Sequence, residues 1–314
     1  MENEVNYSKG VASLGLASVL GATTNVAFAS IVQDVHPVVL TLFMVVVSSI
    51  VFGVANRGRR PPMNKAAWRA IIGLNFASAG VYIFLIIGLK NLEPAIGAAL
   101  QAGTTPLITI AVMSVMARRM TASRAERAGG MIVLAGSALL MWVSFSGRSG
   151  LGSAGPGAVT IGIVAVLISG LSTVFLTLCS KRLTQLGWSN PAVLAHRFYV
   201  TITCCAAISL NANMNWAAVA DVSGYLTTVC VAGTGVLLLL QIGIRNVAPF
   251  VVLTMTNLNP LITYVVQMFD DRLTVSLNSL VGIAVIFSGL LWVVYTQYRA
   301  QQTEKVVLAG DQTR

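Results

Sequence analysis

Charged residues are scarce in this 314-residue chain, at 10% of the total against roughly a quarter in a soluble domain. They are clustered, so that ten runs lack Asp, Glu, Lys and Arg altogether: 10–33, 35–56, 70–89, 94–117, 128–147, 149–180, 198–220, 222–244, 246–269 and 273–298. A helix that crosses a bilayer needs about 20 consecutive apolar residues. A large soluble core would require polar faces on its outer helices, which these runs lack. The pattern therefore predicts a polytopic membrane protein.

Alternation of polar and apolar residues is also missing, which excludes a transmembrane β-barrel, whose strands alternate over about 10 residues. The first run is not followed by a small-residue cleavage pattern and a soluble domain. We therefore interpret it as a membrane helix rather than a removed signal peptide.

Residues for catalysis or metal binding are few. The two histidines, His36 and His196, fall at span ends in opposite halves of the chain. The four cysteines have no metal-ligand spacing, so we expect reduced thiols and no disulfide. The sequence contains no Walker-type phosphate loop and no Gly-x-Ser-x-Gly motif. We predict a protein that is not an enzyme and has no cofactor or metal.

The net charge of +10 comes from loops on one side of the predicted membrane. With the N-terminus inside, 16 Lys and Arg residues face the cytoplasm and 3 face outwards. This is the positive-inside rule. It predicts a plasma membrane protein (the inner membrane of a bacterium) that contacts lipids, has both termini in the cytoplasm and does not bind nucleic acid. A homodimer is left open.

The chain contains a repeat. Residues 93–121 and 248–274 share a proline, an apolar run, and then Pro-Leu-Ile-Thr, at 106–109 and 260–263. A Gly-x-[Lys/Arg]-Asn motif precedes each copy, at 88–91 and 243–246. A spacing of about half the chain indicates a duplicated structural unit.

We predict ten helices, at about 10–32, 37–55, 68–89, 94–116, 128–145, 158–180, 191–210, 222–244, 249–269 and 275–298. A tail (1–9) precedes a first five-helix repeat (10–147), a linker (148–157), a second five-helix repeat (158–298) and a mobile tail (299–314). Two units with odd numbers of spans, joined in series, lie in opposite orientations. The predicted fold is all-α with inverted-topology repeats, as in many secondary transporters.

These features resemble the drug/metabolite transporter superfamily, EamA type, over residues 10–298. The ending Asp271-Arg272-Leu273-Thr274 is similar to the family's usual acid-Arg-Leu-Thr, whereas Arg118-Arg119-Met120-Thr121 in the first copy lacks the acid. Arg197 matches an Arg that the family often carries in helix 7. The resemblance implies movement of small metabolites without ATP, commonly efflux of amino acids, along helices 1, 3, 4, 6, 8 and 9.

Polar residues within the spans are the candidates for substrate binding, because polar groups at depth usually face a bundle interior or a wet cavity. Alternatively, these groups only cross-link helices, at about 0.6 kcal/mol each. The mid-span prolines Pro106 and Pro260 are candidate helix kinks. Lys90 with Glu93 is predicted as a rim ion pair or gate, and Arg197 as a cation that reaches the inner headgroups or contacts a substrate carboxylate. The substrate-binding candidates are Asn25, Asn75, Tyr82, Gln101, Thr105, Ser172, Thr173, Thr254, Asn257 and Tyr264.

The sequence thus predicts a transporter, more specifically an exporter, of small organic metabolites such as amino acids, working by alternating access. The alternatives are a carrier of a larger natural product, drug or siderophore, and a membrane receptor that does not transport. Substrate, direction, ion coupling and oligomeric state are not determined by the sequence.

Overall fold

A computed structural model of the chain describes residues 7–57, 63–104, 124–152, 155–211, 216–246, 255 and 257–311. Within these ranges the regular structure is entirely α-helical, and eight stretches are long and apolar enough to cross a membrane. The chain is therefore an all-α polytopic membrane protein. Its helices are α1 Tyr7–Asp34, α2 Pro37–Ala55, α3 Lys65–Asn91, α4 94–104, α5 Arg124–Phe145, α6 Pro156–Gln185, α7 Asn190–Ala195, α8 Tyr199–Asn211, α9 Trp216–Asp221, α10 Ser223–Asn246, α11 Asn259–Gln267 and α12 Leu277–Asp311.

The ends of α2 and α3 follow from their capping residues. Pro37 occupies the first turn of α2, where its missing N–H has no helical partner to lose. Nδ1 of His36 accepts a hydrogen bond from the Val38 N–H at 3.3 Å. The Asn64 side chain caps α3 by accepting from the Ala67 N–H at 2.8 Å. The prediction of a helix at 37–55 is confirmed.

The seventh predicted span, 191–210, is not one continuous helix. It breaks between α7 and α8 at His196, Arg197 and Phe198. The break leaves backbone groups without helical partners, and Asn75 of α3 takes two of them. Its Nδ2 donates to the His196 carbonyl at 2.8 Å, and its Oδ1 accepts from the Val200 N–H at 3.3 Å. Inside a membrane protein a broken helix is tolerated where its freed groups are satisfied in this way.

The C-terminal part differs from the prediction in two further places. The polar loop expected after the seventh span contains the short helix α9. The last helix continues to Asp311, beyond the predicted end of the tenth span at residue 298.

The helices of the two halves pack against each other in matched pairs. α3 packs on α6, α10 packs on α1, and α5 packs on α12. In the predicted repeat, α3 of the first half corresponds to α10 of the second, and α1 corresponds to α6. The α3–α6 contact therefore corresponds to the α10–α1 contact. The inverted arrangement of the two repeats stays a prediction.

The glycine of the repeated Gly-x-[Lys/Arg]-Asn motif lies at each of the first two contacts. A Cβ at Gly88 would overlap Val166 of α6, and a Cβ at Gly243 would overlap Leu14 of α1. Small residues at helix crossings allow close approach of the backbones. The motif thus has the same packing role in both halves.

Candidate functional site

A cavity of about 190 Å³ lies between the two halves of the chain. The first half contributes side chains from α1, α2 and α3, and the second half contributes α10 and α11. Most of its lining is apolar, and its members include Asn25, Phe28, Met44, Tyr82, Leu237 and Asn259. A mostly apolar pocket with a few polar groups is the usual form of a small-molecule site.

Two hydroxyls in the cavity wall already have partners. Ser18 Oγ donates to the Met255 carbonyl at 3.1 Å, which joins α1 to the second half of the chain. Thr24 Oγ1 donates to the Gly21 carbonyl of its own helix at 2.9 Å. These two hydroxyls therefore serve the fold.

Two amides in the same wall are different. Asn25 is half-buried and lines the cavity, as predicted from its position in the first span. Asn259, at the start of α11, has a buried Oδ1 that accepts no hydrogen bond within the described part of the chain. Asn259 was not among the predicted residues. The sequence feature that could have identified Asn259 is its position directly before Pro260, which corresponds to the position of Thr105 before Pro106.

Tyr82 connects the cavity to the break between α7 and α8. It lines the cavity, and its hydroxyl oxygen accepts a hydrogen bond from Arg197 Nη2 at 2.8 Å. The Arg197 guanidinium lies over the rings of Tyr82 and Phe198, at 5.4 Å and 5.1 Å from their centroids. Tyr82 and Phe198 also pack edge to face, with centroids 5.5 Å apart.

Arg197 does not reach outwards as the snorkelling alternative predicted. Only 4% of its surface is exposed, and Nε is buried without an acceptor in the described structure. The physical reason is the helix break, which turns this side chain towards Tyr82 instead of along a helix to the headgroups.

Asn75 lies outside the cavity lining, at the helix break. All of its hydrogen-bond partners are backbone groups: the Ile71 and His196 carbonyls and the Val200 N–H. Gln101 and Thr173 lie together at another contact, between α4 and α6. Gln101 Nε2 donates to Ser169 Oγ at 3.0 Å and contacts Thr173 Oγ1 at 3.5 Å.

The hydroxyl of Ser169 donates in turn to the Val81 carbonyl, at 3.0 Å, so this chain of hydrogen bonds ends next to Tyr82. Ser172 lies where α3 and α6 come closest, because a Cβ at Gly80 would overlap it. These residues tie three helices together on one side of the Tyr82 position.

Glu93 forms a separate buried cluster at the end of α3, with 1% of its surface exposed. Its carboxylate accepts from the Gly150 N–H and from Ser279 Oγ, each at 2.7 Å, and from Gln267 Nε2. Burial raises the pKa of Glu93, and these hydrogen bonds oppose the rise. The predicted ion pair with Lys90 is wrong, since the partners of Glu93 in the described structure are neutral.

Tyr264 belongs to this end of the bundle as well. Its hydroxyl donates to the Ser276 carbonyl at 2.8 Å, just before α12 begins. Pro260 is buried in the first turn of α11, directly after a turn at Leu258 that separates it from Met255. Asn257 is half-buried just before this turn, and a helix kink at Pro260 stays a prediction. Thr105, Pro106 and Thr254 lie outside the described residues.

Nothing in the described part of the chain gathers three metal-ligating side chains. The candidate site therefore consists of the cavity, its two amides and the Tyr82–Arg197 pair.

Comparison with known proteins gives this architecture a family. Residues 8–142 match the EamA-like transporter family. The match covers less than half of the chain and lies in its first half. The resemblance to the drug/metabolite transporter superfamily is thereby confirmed, with the match extending over the first predicted repeat. The protein is a multi-pass membrane protein whose first half matches a transporter family.

A solved structure, described only as "Crystal structure of protein", superposes with a TM-score of 0.62 at 17% sequence identity. The superposition covers 91% of this chain and 95% of the other, so both share one fold over nearly their full length. None of the curated proteins matches this chain.

Proposed function

We propose that this EamA-like protein is a secondary transporter that exports small organic metabolites such as amino acids. It works by alternating access of two inverted five-helix repeats, in the plasma membrane, with both termini in the cytoplasm. The observation that carries the proposal is the cavity between the halves, because both halves contribute to its wall. A solute held there is released to one side or the other as the halves move relative to each other.

The inverted repeats are supported by matched contacts. Gly88 and Gly243 occupy corresponding helix crossings. The asparagines that end the same motif also behave alike: Asn91 donates to the Ile87 carbonyl at 2.8 Å, and Asn246 to the Ile242 carbonyl at 2.7 Å. A duplicated unit is expected to place corresponding residues of its two copies in similar environments, each copy packing against the other.

The cavity size favours a small solute over the alternative of a drug, siderophore or other large product. A dry engineered cavity of about 150 Å³ accommodates benzene, whereas pockets for drug-sized ligands measure about 300–1,000 Å³. The cavity between the halves, at about 190 Å³, is close to the first value. Its apolar wall with amide groups suits a compact solute that has polar and apolar parts.

Transport by purified protein in liposomes tests the proposal. Vesicles preloaded with one unlabelled amino acid, amine or organic acid are diluted into the labelled compound, and counterflow is measured with and without a pH gradient. Protein-free vesicles and vesicles with heat-inactivated protein are the controls. Saturable counterflow of a small metabolite supports the proposal, and its dependence on the gradient separates proton coupling from exchange. Absence of saturable flux for the whole panel overturns it and leaves the receptor alternative.

A further inference from the structure

Arg197 carries a buried charge that no carboxylate balances within the described residues. Only 4% of its surface is exposed. The salt bridge found within the described residues joins Arg272 to Asp270, in the segment between α11 and α12. A charge removed from water without a partner costs several kcal/mol. Ionisable residues inside a membrane protein are retained against such a cost mainly where they have a function.

The contacts that Arg197 makes offset this cost only in part. Nη2 donates to the Tyr82 hydroxyl, and the guanidinium lies over two aromatic rings. A cation–π contact attracts the guanidinium only weakly, and neither ring nor hydroxyl neutralises the charge. Nε is buried without an acceptor in the described structure, so donor capacity remains unused.

Tyr82 brings this charge to the edge of the cavity. Because its oxygen accepts from Arg197, its own O–H proton is free to point at another acceptor. A hydroxyl that receives a hydrogen bond from a cation is also polarised into a better donor. Tyr82 lines the cavity, so an anionic group placed there meets a strong donor backed by a positive charge.

We propose that the Tyr82–Arg197 pair is the recognition site for a carboxylate group of the transported solute. The assignment rests on the proposed transport function and narrows its substrate class to small carboxylates. Asn259 lines the same cavity, and its Oδ1 is buried and unpartnered within the described residues; turned into the cavity, it would accept from an N–H group of that solute. Carboxylate at one pole and ammonium at the other describe an amino acid with an apolar side chain.

A purely architectural role for Arg197 would be to hold the break between α7 and α8. The contacts argue against this role as the main one. The freed backbone groups of the break are satisfied by Asn75, whereas the hydrogen bond formed by Arg197 goes to a side chain of the cavity wall.

The test compares solutes that differ only in the carboxylate. The probes are leucine, phenylalanine and threonine, each with its amide, which keeps the ammonium and loses the negative charge. Thermal stabilisation of the purified protein reports binding, and counterflow in liposomes reports transport. We expect each bound amino acid to be preferred over its amide by about tenfold or more, the range of a hydrogen bond to a charged group.

Two variants address the pair. Arg197→Gln removes the charge, and Tyr82→Phe removes only the hydroxyl while it keeps the ring. In both variants we expect the preference for the amino acid over its amide to fall to about threefold or less. Tyr225→Phe on the exposed surface of α10 is the matched control and should keep the wild-type preference. The ratio of amino acid to amide is the decisive readout, because loss of folded protein lowers both members equally.

The outcomes separate this inference from the transport proposal. Equal binding of amino acids and amides by the wild type, or an unchanged preference in Tyr82→Phe, overturns the carboxylate site. Saturable transport of a neutral metabolite without binding of any carboxylate probe also overturns it and leaves the transport function standing. Stabilisation by carboxylates that depends on Arg197, without flux of any solute, supports the site and overturns transport.

Discussion

Replacing Asn75 with Ala should destabilise the protein more than the average polar contact between membrane helices. The substitution removes the donor to the His196 carbonyl and the acceptor of the Val200 N–H. Asn75 is 3% exposed, so water cannot replace the amide without rearrangement. Each unsatisfied buried group costs roughly 1–3 kcal/mol.

The two lost partners together predict a loss of about 2–6 kcal/mol in the free energy of unfolding. This exceeds the average of about 0.6 kcal/mol for a polar pair between membrane helices, because the partners of Asn75 are backbone groups at a helix break. The loss corresponds to a melting temperature lower by roughly 4–12 °C. The measurement is thermal unfolding of the purified protein in detergent.

Asn91→Ala provides the matched control. Asn91 donates to the Ile87 carbonyl of its own helix, so its loss leaves no second helix with an unsatisfied group. We expect the control to melt within about 2 °C of the wild type. If Asn75→Ala melts like the wild type while its transport selectivity changes, the architectural role is refuted and Asn75 acts on the solute.

Three further predictions concern packing and pH. Gly136→Ala should lower the free energy of unfolding by about 1–3 kcal/mol, because its Cβ would lie 2.7 Å from Ile286 Cγ1 where α5 crosses α12. The control is Gly15→Ala, whose Cβ would lie in open space and which should leave the melting temperature unchanged. Gly243→Ala should lower both the melting temperature and transport, because the new methyl overlaps α1, and a normal melting curve would contradict that crossing. Since burial raises the pKa of Glu93, its contribution to stability is greatest below about pH 4.3 and is lost as pH rises through the raised pKa. Glu93→Gln should flatten the profile of melting temperature against pH over this window, and a profile parallel to the wild type would argue against ionisation of Glu93 there.

The sequence predicts the helices well where charges mark their ends. The second span is bounded by His36-Pro37 and by the basic loop that begins at Arg57, and the helix between them has the predicted limits. These signals are local, so they can be found without tertiary contacts. The repeated motif can also be recognised in the sequence. Its glycine recurs because a helix contact requires a small residue at that position in each copy.

The break in the seventh span had no local signal. No Pro or Gly occupies residues 196–198, and the run reads as a continuous helix. The groups that stabilise the break come from α3, which precedes it by more than a hundred residues. The Glu93 cluster has the same character, because Gly150, Gln267 and Ser279 come from three distant segments. Contacts of this kind depend on the tertiary fold and cannot be predicted from any single segment of the sequence.

The same distinction separates architecture from function among the buried polar groups. Asn75 and Gln101 were predicted to bind substrate and Glu93 to form a rim ion pair or gate, and the structure gives each of them protein partners. A group whose hydrogen bonds are already made within the protein has less to offer a solute, because binding would first have to break them.

Arg197 and Asn259 are in the opposite situation. Seven buried side-chain atoms lack a partner within the described residues, and the others are hydroxyls or the Asn56 amide at the end of α2. Of the seven, the Arg197 atom is the one that belongs to a cation, and Asn259 is the residue that lines the cavity. An unused donor beside Tyr82 and an unused acceptor in the same wall are a liability for stability unless a ligand takes them. In the proposed site the carboxylate of the solute meets the Tyr82 hydroxyl, which Arg197 polarises, and its amine meets Asn259, so the groups that the fold leaves unsatisfied support the proposed substrate class.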